Sequence, residues 1–398
     1  MTTVRSFVSL LAVLLSWLVY YRGREVYSFY SNAPERLPHY QRFERHSIEL
    51  ADRVRSCEDA LMLESRGVAI LACDPGRERW NTVMGVFLPG PVTSASLYVY
   101  DYKDPDAASP LRQVEIIDFL GSADFHTLGM AYDEATSTLF ASNHAQAGPR
   151  IETFRLDLDK LTATHIGTLE HPLIHGPNSI AIINSQEIYV TNDKFFLARY
   201  TKVLSKLETV LAFPLGSVVH VKLSDRDGGA FHVEKAHRVA RAAFANGIEL
   251  LNSTTVALAS TTKSSIYLYD MNADRTLTFK SSFRLPFMPD NLSVHGNRLL
   301  IAGHPHFPSL AKYTVTRHVC NDPAELVKAS AELKEYCQNG KATSWVAEWT
   351  EKGGLKNIYI GTEYPTSATA AWDSTRGVGI ISGLYAKGLL VWRDSPEH

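Results

Sequence analysis

Five side chains carrying hard oxygen donors stand in one kind of place, each just ahead of a short apolar hairpin. Asp290 and Asn291 precede a run that passes a Gly296-Asn297 turn and ends at His304. Glu58-Asp59 precedes ALML, a turn at Ser65-Arg66-Gly67 and VAILAC; Asn178-Ser179 precedes IAII, a turn at Asn184-Ser185 and EIYVTND; Asn246-Gly247 precedes IELL, a turn at Asn252-Ser253 and TVALAST. A weaker copy runs from Leu128-Gly129 through TLFASNH to His144. Singly, Asn and Asp before a hairpin are turn formers. Their recurrence makes Glu58, Asn178, Asn246, Asp290 and Asn291 a candidate donor set, two carboxylates and three amides, of the kind that suits calcium.

The elements that must bring these residues together are the repeats themselves. Their spacing of roughly 45 to 70 residues fits a four-stranded blade with variable loops. A last hairpin, GVGIISG followed by GLLVWR, completes a sixth copy. The expected fold is all-β: a six-bladed β-propeller over residues 53–398, with each polar pair on the axial side. Short β-rich runs (ASLYVYDY, IETFRLDL, SVVHVKL, SIYLYDM, LAKYTVT, NIYIGTE) fill the space between the repeats. The 398 residues, 45% hydrophobic with a net charge of −2, suffice for one large core and carry no basic excess for nucleic acid.

Arg5 and the apolar run Ser6–Tyr21 form an N-terminal apolar helix, a signal peptide or signal anchor over residues 1–24, too short for the ~20 residues of a spanning helix. A buried N-terminal helix is the alternative. Residues 25–52 read as a polar lead-in, with a helix near Arg45–Arg55. A small helical insertion is expected at 321–338, where Asp322, Pro323 and Glu325 form a capping box. Four cysteines allow three pairings; Cys320 with Cys337 and Cys57 with Cys73 are favoured, against Cys57 and Cys73 as buried thiols. Sequons stand at Asn252 and Asn291, and only Asn252 lies on a turn suited to a glycan. No GxSxG, HExxH or phosphate-binding glycine loop is present, and His232 and His237 fall in a polar stretch read as a loop.

Taken in order, Glu58-Asp59, Asn178, TND at 191–193, FANGI at 244–248, PDN at 289–291 and GHP at 303–305 resemble the paraoxonase/arylesterase family over nearly all of the chain after residue 50. The resemblance implies a six-bladed propeller with two calcium ions in its tunnel that hydrolyses lactones, aryl esters and some organophosphates. It places the catalytic calcium on Glu58, Asn178, Asn246, Asp290 and Asn291, and the second on Asp59 and the Met130 carbonyl. Asp193 and His304 match positions near the tunnel, and His144 matches one half of a histidine dyad.

Three residues depart from the family pattern. Leu128 stands where the other dyad histidine is expected, with His126 two residues earlier as a substitute. Ser179 replaces an aspartate of the second calcium site, and the C-terminal cysteine is missing. The expected chemistry is calcium-polarised attack of water on the carbonyl of a small apolar lactone or ester, with His144, His126 or a carboxylate as base. The rival is a non-hydrolytic isomerase or cyclase of secondary metabolism acting on a polyketide- or terpenoid-like substrate in the same tunnel. A third reading is a binding propeller without catalysis. The loops Tyr102–Leu111, Phe195–Leu207 and His304–Leu310 are expected to set specificity. Secretion or a lumenal membrane anchor is the expected location.

Overall fold

A computed structural model describes residues 2–104, 109–226 and 230–395. Six sheets, each with four antiparallel strands in radial order, stand around a common axis as the blades of a β-propeller; two of them carry a fifth, outer strand, Glu115–Ile117 on blade 2 (parallel to its neighbour) and Tyr40–Gln41 on blade 5. Their innermost strands are Cys57–Leu63, Thr127–Asp133, Pro177–Asn184, Ala245–Asn252, Met288–His295 and Ser367–Asp373, in blades 1 to 6. Second strands such as Val68–Cys73, Thr255–Ser260 and Val378–Gly383 are buried along their whole length between neighbouring blades. That explains why they read as continuous apolar runs without alternation.

Ring closure is made by the segment read as a lead-in. Arg45–Glu49 is a strand and not the expected helix; it pairs with Leu389–Arg393 as the outermost strand of blade 6. An Arg393–Glu49 ion pair of 2.7 Å reinforces the seam. Backbone hydrogen bonds thus join residues 45–49 to residues 389–393 and close the ring between sequence-distant segments. Tertiary closure overrides the local helical pattern here.

Helices cover one end of the axis. α1 (Thr2–Ser31) is tied down at its C-terminal end, where Asn32 Nδ2 donates to the Pro286 carbonyl at 2.7 Å. α2 (Lys202–Leu211) lies within the loop expected at Phe195–Leu207; Thr201 caps its start and Ala212, at φ 50°, ends it. α3 (Phe307–Cys320) contains LAKYTVT, which propensity had placed in a strand. Pro308 at its first turn, the His306 cap and burial of Leu310, Thr314 and Arg317 on one face decide for helix. α4 (Pro323–Lys328) and α5 (Ala331–Asn339) complete the insertion, which therefore starts before residue 321. Disulfides join Cys320 with Cys337 and Cys57 with Cys73. His232 and His237 lie in the long strand Ala230–Ala242, not in a loop. Tyr102 and Lys103 sit at the opposite end of blade 1, beside the Gly67 turn, so the Tyr102–Leu111 loop does not border the helical end; its residues 105–108 lie outside the described residues.

One irregularity recurs in all six blades. The register between the innermost strand and its neighbour slips at Cys57/Asp59, Thr127/Met130, Pro177/Ile180, Ala245/Ile248, Pro289/Leu292 and Ser367/Thr369. A bulge leaves residues unpaired and re-aims them, and between these limits lie Glu58, Leu128-Gly129, Asn178-Ser179, Asn246-Gly247, Asp290-Asn291 and Ala368. Two bulges need glycine because the next blade's backbone presses against them. A Cβ at Gly129 would lie 2.6 Å from the Asn178 carbonyl oxygen, and one at Gly247 would lie 2.7 Å from that of Asp290. Gly247→Ala is expected to cost about 2 kcal/mol, since backbone has to move to admit a methyl group. Urea denaturation of the full chain checks this, and an unchanged midpoint would contradict the packing.

Candidate functional site

The bulges of blades 1, 3, 4 and 5 aim their oxygens into one cavity of about 60 Å3. Glu58, Asn178, Asn246 and Asp290 line it together with His304 and an apolar wall that includes Leu128, Phe244 and Phe307. The amide nitrogens of Asn246 and Asn291 are engaged by neighbouring side chains. Asn246 Nδ2 donates to Asp290 Oδ1 at 2.6 Å and to Thr261 Oγ1 at 3.0 Å; Asn291 Nδ2 donates to Glu58 Oε1 at 3.0 Å and to Thr369 Oγ1 at 2.9 Å. The oxygens are what remain. Asn178 Oδ1, Asn246 Oδ1, Asn291 Oδ1 and Glu58 Oε2 are buried without a hydrogen-bond partner. Each such group costs about 1–3 kcal/mol unless something binds it.

Charge points the same way. Burial holds the Glu58 carboxyl well above the usual carboxylate range, and the neighbouring Asp290 and Asp59 raise it further. Two carboxylates and three amide oxygens, buried together, match the hard-donor preference of calcium, and a divalent cation would reverse that electrostatic strain. Among the described residues no group of three or more His, Cys, Asp or Glu is arranged as a metal site. The set here owes most of its oxygens to asparagine.

The second calcium set does not fit in the same way. Asp59 Oδ2 accepts from the Met130 amide at 2.7 Å, and Oδ1 accepts from the Ala60 amide at 2.8 Å and from Thr369 Oγ1 at 3.1 Å. Ser179 Oγ, in place of a carboxylate, accepts from the Ile248 amide at 3.3 Å. Protein donors already occupy these oxygens. Farther along the axis a cavity of about 290 Å3 touches all six innermost strands, and there Glu249 is pushed up to about 8 by burial and by Asp59.

The four expected catalytic side chains separate. His304 lines the cavity; its Nε2 lies 2.9 Å from Asp290 Oδ2 and its Nδ1 is buried and unpartnered. His144 has both nitrogens engaged, Nε2 with the Pro177 carbonyl at 2.7 Å and Nδ1 with Thr82 Oγ1. Burial and the nearby Arg77, Arg199 and Lys194 hold it down to about 4, so it stays neutral. His126 faces Asp74 at 3.3 Å and does not line the cavity. The bulge after Thr127 breaks the alternation that would have placed it on the same face as Leu128. Asp193, raised to about 6 by burial, accepts from its neighbour's backbone amide, Lys194 N, at 2.8 Å and stands behind the cavity wall.

Sequence reasoning missed the hairpin Trp80–Asn81 and Val86–Phe87, which places Val83 and Met84 in the cavity wall. Its strands are too short for a periodic signal, and only the Met84-Gly85 turn marks it. Buried Lys194 was missed as well. Its Nζ donates to the Val83 carbonyl at 2.8 Å and to Ser205 Oγ at 3.3 Å, joining hairpin to α2.

The chain is 28% identical over 190 residues to serum paraoxonase/arylesterase 1 of Mus musculus, covering 46% of this chain and 50% of that protein. It is 25% identical over 210 residues to serum paraoxonase/lactonase 3 of Oryctolagus cuniculus, covering 51% and 55%. The match thus spans about half the length of these curated relatives. Among solved structures, a gluconolactonase of Xanthomonas campestris is similar at a TM-score of 0.49 and 14% identity over 90% of this chain and 93% of that one. The arylesterase family model matches residues 85–336, most of the chain, with blades 2 to 4 whole and the two inner strands of blade 5, and the chain belongs to that family.

Proposed function

We propose that this chain is a calcium-dependent hydrolase of small apolar lactones or aryl esters. The observation that carries the reading is the group of four buried, unpartnered oxygens on Glu58, Asn178, Asn246 and Asn291, of which the first three residues line one cavity and Asn291 is hydrogen-bonded to Glu58. Those residues, with Asp290, would hold the ion. When bound, calcium supplies Lewis-acid polarisation of the carbonyl and stabilises negative charge developing on its oxygen.

Proton handling falls to His304, in place of His144 or His126. Asp290 Oδ2 accepts from His304 Nε2, which leaves the Nδ1 lone pair free to take a proton from an attacking water. The carboxylate beside the ring favours the imidazolium that forms. Leu128, Phe244, Met288 and Phe307 exclude bulk water and give an apolar acyl or aryl group its surface. Leu128 in the cavity wall also favours the non-hydrolytic alternative, in which the same residues orient a polyoxygenated substrate and no base is needed.

The two disulfides and the serum proteins among the relatives support a place in the secretory pathway. No described helix is long and apolar enough to cross a membrane. Exposed Trp17, Tyr20, Val203 and Val210 on α1 and α2 support association with a lipid surface beside the site, as the N-terminal pattern suggests.

Elemental analysis is expected to find one calcium per chain, with hydrolysis of a lactone and aryl ester panel abolished by chelator. Calcium without turnover would favour the non-hydrolytic reading, and no calcium would remove both. Ser179→Asp is expected to raise the stoichiometry toward two, because it restores a carboxylate beside Asp59. His304→Gln is expected to lower kcat by about 10²–10⁴-fold while calcium binding is kept, the range for loss of a general base. An unchanged kcat would assign the proton elsewhere.

A further inference from the structure

The cavity described above, at about 60 Å3, is well below the roughly 300–1,000 Å3 of a pocket that holds a small-molecule ligand. An ester or lactone enters only if part of its wall withdraws. Glu58, Leu128, Asn178, Asn246, Met288 and Asp290 belong to innermost strands and cannot move without opening a blade. Of the segments that complete the wall, the hairpin Trp80–Phe87 is the one built of strands that pair only with each other.

Polar contacts at its base and tip hold this hairpin over the site. Trp80 Nε1 donates to the His144 carbonyl at 2.7 Å, and Thr82 Oγ1 meets His144 Nδ1. Lys194 Nζ donates to the Val83 carbonyl at 2.8 Å, and Asn81 Nδ2 donates to Tyr385 Oη at 2.7 Å. The partners settle the tautomer of His144. The Pro177 carbonyl can only accept, so Nε2 carries the proton and Nδ1 accepts from the Thr82 hydroxyl. A neutral imidazole with both nitrogens used this way is a strut between the hairpin and the residue preceding Asn178.

We propose that the hairpin Trp80–Phe87 is a lid over this cavity and that His144 is its latch, a positioning residue that acts through Thr82 and Pro177 while Val83 and Met84 set the size of the group admitted. The inference rests on reading the cavity as the substrate site. It removes His144 from proton transfer and gives it a mechanical task at the same position.

Hydrogen exchange of segment 80–88 in the full chain tests the latch without reference to turnover. Thr82→Val keeps the shape and removes the hydroxyl, and is expected to speed exchange of this segment about fivefold, the worth of one hydrogen bond. Trp80→Phe, which removes the indole donor, is expected to act the same way. Both variants are expected to narrow the difference in KM between a small and a bulky aryl ester. Unchanged exchange in both variants would overturn the latch. So would loss of turnover in Thr82→Val with exchange unchanged, since that result would make Thr82 and His144 a nucleophile–base pair. If the esterase reading itself fails, no ester is turned over while the exchange result still decides the latch.

Discussion

The arrangement of the axis depends on an unpaid polar debt: buried oxygens that the protein itself leaves unpartnered. Glu58 Oε2 and three asparagine oxygens are left open, while the amide nitrogens of Asn246 and Asn291 are engaged by Asp290, Thr261, Glu58 and Thr369. A fold that buried such atoms for no purpose would lose several kcal/mol at this one place. The lower axial level shows the contrast, for there Asp59 and Ser179 are satisfied by backbone amides and a threonine hydroxyl. One level leaves its oxygens open, and the next satisfies them with donors of the protein.

Propeller geometry makes that contrast affordable to build. A regular strand would send alternate side chains to the two faces of its blade, and neither face points along the axis. The register slip at the head of each innermost strand frees one or two residues from this alternation, and six blades repeat the device. Neighbouring bulges then come close enough that glycine is required at 129 and 247. Backbone pairing of Arg45–Glu49 with Leu389–Arg393 keeps the ring closed so that the set stays in register.

Histidine chemistry follows from position within this frame. His304 ends a strand of blade 5 beside Asp290 and keeps one nitrogen without a partner, whereas His144, in blade 2 across the ring, has both nitrogens committed. Two histidines that look alike as residues near apolar strands therefore have different capacities. The free lone pair, not the ring itself, is what can take a proton.

Much of this was legible in the chain. The polar pairs before Ile, Leu and Val hairpins, the capping box at Asp322, the cysteine pairs and the calcium-type donor set all follow from local pattern, because turns, caps and repeats are decided by near neighbours in sequence. Other features were decided by contacts between distant segments. Arg45–Glu49 became a strand because blade 6 needed an edge partner, and LAKYTVT became a helix because one of its faces is buried against the propeller. His126 turned to Asp74 because a bulge broke its parity with Leu128. The hairpin at Trp80 carries too few residues for any periodic signal, and the role of His144 depends on Thr82 and Pro177, which lie 62 and 33 residues from it. Side-chain capacity at the site is set by which partners fold against each nitrogen and oxygen, and sequence spacing alone carries no record of them.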